Sequence, residues 1–137
     1  KSLICARNQS KSLCFEFTKD QHEYMFAGVQ GFVTSIVLVS ADGGSLGAFC
    51  SFHNLGKNSF VTEAVGVDQS MLHSVLQCAC LLAESAGQTG VWCSQMIACD
   101  PPQGWGLVEE TQNPKMIFGY NIRSRPRNCS DVLVSCL

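Results

Sequence analysis

The stretch that decides the fold runs from Gly31 to Ala86. It opens Gly31-Phe32-Val33-Thr34-Ser35-Ile36-Val37-Leu38-Val39-Ser40, rich in β-branched residues and apolar on both faces, as a central strand requires. Asp42-Gly43-Gly44-Ser45 follows as a hairpin turn, because glycine supplies the positive φ that a tight reversal needs. Leu46 to His53 reads as the return strand. A second turn over Asn54-Leu55-Gly56-Lys57-Asn58 leads into Ser59 to Val65. The three strands form an antiparallel meander.

The period then changes from two to about 3.6. Val67, Met71, Leu72, Val75, Leu76, Ala79, Leu82, Ala83 and Ala86 recur at three- and four-residue spacing. Asp68 is placed to cap the start and Gly87 to end it, which predicts one amphipathic helix over 68–86. Met71, Val75 and Leu82 are expected against the sheet.

Outward from this centre the sequence reads as more strands. Residues 2–7 and 12–19 flank the polar turn Asn8-Gln9-Ser10-Lys11 and suggest an N-terminal hairpin in which Cys5 faces Cys14. Asp20 to Tyr24 reads as a polar break. After the helix, Val91 to Ala98, Gly106 to Glu109, Lys115 to Ile122 and Asp131 to Cys136 are expected strands. Pro101-Pro102 and Asn113-Pro114 punctuate them. There are no internal repeats and no linker. The expected architecture is one α+β domain over 1–137. It has an antiparallel sheet of about six to eight strands and one long amphipathic helix packed on one face, stapled by disulfides.

The disulfide expectation rests on nine cysteines in 137 residues: Cys5, Cys14, Cys50, Cys78, Cys80, Cys93, Cys99, Cys129 and Cys136. Such a load favours an oxidising compartment. Two sequons, at Asn8 and Asn128, point the same way as glycosylation candidates. The opening Lys1-Ser2-Leu3-Ile4-Cys5 has no leader architecture, so a secreted protein would be read here in its mature form. An odd cysteine could bridge two copies into a homodimer. The competing reading makes the cysteines reduced: buried small hydrophobes in a cytosolic scaffold, or zinc ligands. Zinc is disfavoured because no C-x-x-C occurs, only Cys78-Ala79-Cys80 near His73.

Composition excludes several classes. The chain is 46% hydrophobic with a net charge of −2, so it is not disordered. Residues 1–30 carry +1, residues 31–114 carry −6 and residues 115–137 carry +3, with no run that suits a nucleic-acid arm. The longest apolar stretch, Gly31 to Ala41, falls well short of a membrane span of about 18–20 residues. No phosphate loop, no G-x-S-x-G and no H-E-x-x-H is present, and no cofactor is implied. Asp42, Glu63 and Asp100 lie near element ends, where a two-metal site would place them, but each has a plainer role as a turn, strand or loop residue. His22, His53 or His73 could serve a cysteine nucleophile, with no local signature to choose among them.

Two features point instead to binding. Arg123, Arg125 and Arg127 crowd three guanidinium groups into five residues and suit a carboxylate or sulfate. Between Gly31 and Thr62 only Asp42 and Lys57 are charged, and charge depletion marks interfaces. Ser35 and Ser51 sit on those strands, where a new charge is expected to disrupt association. The functional expectation is a secreted, disulfide-stabilised recognition protein that binds another protein or a glycan. The alternative is a small secreted hydrolase or toxin with a Cys/His or carboxylate site.

Overall fold

A computed structural model describes residues 2–9, 13–14, 18–26, 33–41, 43–94, 97–98, 100–106 and 132–133. The meander is present, but the strand read as central lies at the end of the described sheet. Strand β2 (Val33–Val39) pairs antiparallel with β3 (Leu46–Leu55), which pairs antiparallel with β4 (Asn58–Gly66). Gly43 at φ 71° and Gly56 at φ 62° sit in the two reversals, in the left-handed conformation that an L side chain resists. Helix α3 (Gln69–Ser85) follows, and β5 (Gly90–Trp92) then joins β4 in parallel, giving the order β2-β3-β4-β5.

Both ends of α3 are built as their sequence suggests. Asp68 is extended (φ −146°, ψ 176°) and its carboxylate accepts from the Met71 amide at 2.8 Å. At the other end Gly87 turns left-handed at φ 77°, and the Gln88 amide reaches back to the Ala83 carbonyl at 3.0 Å.

The core lies between α3 and the sheet. Ala48, Cys50 and Phe52 of β3 and Val61 and Ala64 of β4 pack against Val75, Leu76 and Ala79. Ile97 and Ala98 close the same cluster, with Ile36, Leu38, Val91 and Trp105 at its border. Leu82 is not part of it. It stays 44% exposed, because the helix turns Ala79 and Ala83 inward and carries Leu82 round to the flank.

The N-terminal hairpin is replaced by helices. Residues Ser2–Asn8 form α1, so Cys5 and Cys14 do not oppose one another across a turn. The spacing of contacts explains why: Ile4 is buried and Arg7, one turn on, is drawn to β4. Leu13–Cys14 form a short strand, β1, paired in parallel with β6 (Val132–Leu133). The supposed break at Asp20 is helix α2 (Lys19–Phe26). Its first turn is a capping box: the Gln21 amide donates to Thr18 Oγ1 at 3.3 Å, and the Thr18 amide donates to Gln21 Oε1 at 2.9 Å.

The six-to-eight-strand antiparallel sheet with disulfide staples is therefore overturned. Among the described residues there is a four-stranded mixed sheet, a separate two-stranded pair and three helices. No disulfide occurs among the cysteines whose side chains are described. Cys5, Cys50, Cys78 and Cys80 carry free thiols, and the Cys93 thiol donates to the Ser94 carbonyl at 3.6 Å. Cys50 acts as a small hydrophobe in the core, which removes the main support for a disulfide-bonded, glycosylated protein. The strands expected at 107–109 and 115–122, and the side chains of Cys14, Cys99, Cys129 and Cys136, lie outside what is described.

Candidate functional site

Along β3, side chains alternate between the face under α3 (Ala48, Cys50, Phe52) and the opposite face (Phe49, Ser51, His53). Register then assembles a polar row on that opposite face. Ser35 of β2 lies across from Ser51, and Ser51 across from Glu63 of β4. Ser35 Oγ donates to Ser51 Oγ at 3.3 Å. The ladder shifts between Ser51 and Phe52, so β4 holds one extra residue, Thr62, whose hydroxyl donates to the Ser51 carbonyl at 3.1 Å. Such a bulge bends a strand and re-aims its side chains.

The row ends in an ion pair. Arg7 of α1 meets Glu63 two-pronged, Nη1 to Oε1 at 2.5 Å and Nη2 to Oε2 at 3.2 Å. Their side chains are only 15% and 7% exposed. The pair also serves the backbone of β4. The Ala64 amide donates to Glu63 Oε1 at 3.1 Å, and the Ala64 carbonyl accepts from Arg7 Nη1 at 3.1 Å. β5 pairs with Asn58, Ser59 and Phe60, so among the described residues β4 beyond Phe60 has no ladder partner on that side. Buried backbone groups must find partners, and here a side-chain pair supplies what the departing strand does not.

The parting of β4 and β5 faces the start of α3, where a phosphate-bearing ligand would look for free helix amides. That end is capped at the Met71 amide and closely abutted by the strand. Only Val67 and Asp68 separate β4 from α3, and the Val67 amide donates to the Gly47 carbonyl at 2.9 Å. A Cβ on Gly66 would lie 2.5 Å from the Leu72 nitrogen and 2.6 Å from the Asp68 carbonyl oxygen, so strand end and helix touch backbone to backbone. The Asp68 carboxylate takes the Met71 amide. Gln69 Nε2 donates to the Asp100 carbonyl at 2.9 Å, and His73 Nε2 lies 2.9 Å from the same oxygen. The segment after β5 is thus clasped onto the first turns of α3. The capping group at this helix start, the Asp68 carboxylate, is negative, which opposes an anion there.

Of the residues singled out in the sequence, Ser35 and Ser51 meet as described. Ser51 is fully enclosed while Ser35 remains exposed on β2. Asn8 closes α1, and its side-chain oxygen accepts from Arg7 Nε and Nη2 at 3.3 and 3.1 Å. His53 stacks on Phe60, with ring centroids 5.7 Å apart. Arg123, Arg125, Arg127, Asn128 and Asp42 lie outside the described residues. Among the described residues no group of three His, Cys, Asp or Glu could hold a metal ion. Arg7 was not singled out. It sits 56 residues from its partner, and no local pattern announces such a contact. The thiol of Cys50 is pushed up by burial first, and then by Cys93, Glu63, Cys80 and Cys78, which surround it closely enough to oppose its negative charge.

No family model matches the chain, and no curated protein matches it in sequence. In structure it is similar to a crystal structure of a probable acetyltransferase, with a TM-score of 0.58 at 9% identity, over 86% of this chain and 93% of that one. The likeness is one of architecture: this chain has the fold of that probable acetyltransferase.

Proposed function

We propose that the chain is a recognition domain, built on a fold shared with a probable acetyltransferase, which binds a protein partner and does not itself transfer acyl groups. The observation that carries this reading is the β4–α3 junction. Acyl transfer from a phosphate-bearing thioester such as acetyl-coenzyme A needs an anion cradle, and helix amides are the ready source of one. Here the junction is two residues long, its strand end lies against the helix backbone, and its capping group is the Asp68 carboxylate. The buried carboxylate nearest the strand parting, Glu63, is held by Arg7 and so is committed to an ion pair.

Recognition fits the surface that remains. Strand β2, at the edge of the sheet among the described residues, exposes Val37 and Val39 at 50% and 56%, on strands nearly free of charge. The test is an assay of free thiol released from acetyl-coenzyme A in the presence of primary-amine acceptors. The expected rate equals the uncatalysed background. Turnover that rises with protein concentration and is lost in Glu63→Gln would overturn the proposal in favour of an acyltransferase.

A further inference from the structure

We infer that the β4 bulge is a guanidinium-binding site, which Arg7 fills from within the chain and which an arginine side chain of a protein partner can fill in its place. The inference rests on the recognition reading and names what is recognised. The charged receptor belongs to the sheet, while Asn8 of α1 adds a neutral acceptor for Arg7 Nε and Nη2. Glu63 is oriented by the Ala64 amide of its own strand, and the Ala64 carbonyl stands beside it as a third acceptor. Two carboxylate oxygens and a carbonyl match the planar fork of a guanidinium, which an ammonium cannot span in the same way. The site is negatively charged and buried, so it needs a cation at all times.

The present occupant is carried by a short helix. α1 has seven residues, too few to persist as a helix without tertiary contacts. Ile4 is buried, while Cys5 and Ala6 face solvent. Arg7 keeps 15% of its side chain exposed, which leaves the site a route to solvent. If α1 lifts, the bulge and its acceptors stay in the sheet, ready for an arginine presented from outside. Arg7 then acts as a plug that an arginine-bearing segment must displace.

The experiment is chemical rescue of Arg7→Ala in the full chain, with N-propylguanidinium as probe and thermal unfolding as readout. Arg7→Ala should lower the melting temperature, and the probe should restore it saturably. N-propylammonium should not, and neither wild type nor the double variant Arg7→Ala/Glu63→Gln should respond. No rescue, or equal rescue in the double variant, overturns the site. Should Arg7→Ala not fold, Arg7→Lys serves as host with the same two outcomes. In wild type, N-acetyl-argininamide should speed hydrogen exchange at the α1 amides, and unchanged exchange overturns displacement of Arg7. Binding of acetyl-coenzyme A would sink the recognition reading without altering the rescue, so the two failures are distinguishable.

Discussion

Arg7 and Glu63, 56 residues apart in the chain, close a two-pronged ion pair over the edge of β4 that β5 has left. The pair does the work of a missing strand partner for Ala64, accepting from its amide and donating to its carbonyl. Breaking it from one side leaves a charge buried without compensation. We expect Arg7→Ala or Glu63→Ala to cost about 3–5 kcal/mol in urea unfolding, and the paired change Arg7→Met/Glu63→Leu to cost much less than the two single costs together. Single costs below about 1 kcal/mol would show that the pair is solvated and not structural.

The junction between β4 and α3 makes a second claim, on two glycines. At Gly66 an added methyl would meet the backbone of Leu72 and Asp68, which cannot move without shifting the helix. At Gly47 it would meet chiefly the flexible end of the Met71 side chain. Gly66→Ala should therefore destabilise by about 3 kcal/mol or more and Gly47→Ala by about 1–2 kcal/mol. Equal costs in chemical denaturation would mean that the strand end and helix are not in backbone contact.

The buried face of α3 is tested by a pair of leucines. Leu76 is fully buried among Cys50, Phe52 and Val61, while Leu82 is 44% exposed. Leu76→Ala should cost about 2–5 kcal/mol and Leu82→Ala about 0.5 kcal/mol or less. The reverse order would rotate the helix from the placement described.

These residues also mark where the sequence was legible. The meander and α3, with Asp68 and Gly87 at its ends, show in periodicity and turn chemistry because those signals are local. The face of α3 was only half legible: Val75 sits where the spacing places it, but Leu82 matched the same spacing and fell outside the stripe. The N-terminus misled because Leu3, Ile4 and Cys5 suit a strand as well as a helix. Ile4 and Arg7, one turn apart and both drawn to the rest of the chain, show which was chosen. The capping box at Thr18 and Gln21 that marks α2 is a local signal, overlooked where Asp20 to Tyr24 reads as a polar break. The Arg7–Glu63 pair was not readable, since it depends on a bulge and a strand parting that no short window contains.

Thiol chemistry separates the cysteines. Burial raises the pKa of Cys50 in the folded protein and, less strongly, that of Cys80. A raised thiol pKa means the unfolded chain ionises first, so this contribution is whole below about pH 8.5 and is lost as pH climbs above it. Stability should fall on the alkaline side of pH 8.5, and Cys50→Ala should flatten that fall. Alkylation followed by mass spectrometry at pH 8 should label exposed Cys5 promptly and Cys50 only on unfolding. Prompt labelling of Cys50 in the native protein would contradict its place in the core.

The central claim is that the start of α3 offers no cradle to a phosphate-bearing acyl donor. The most direct measurement is a titration of the isotopically labelled full chain with acetyl-coenzyme A, following the backbone amide signals of Asp68 through Leu72. No saturable shift is expected at those amides up to millimolar donor. A one-to-one saturable shift centred on Ser70 and Met71 would show that the helix end opens to take the donor, and would contradict the account.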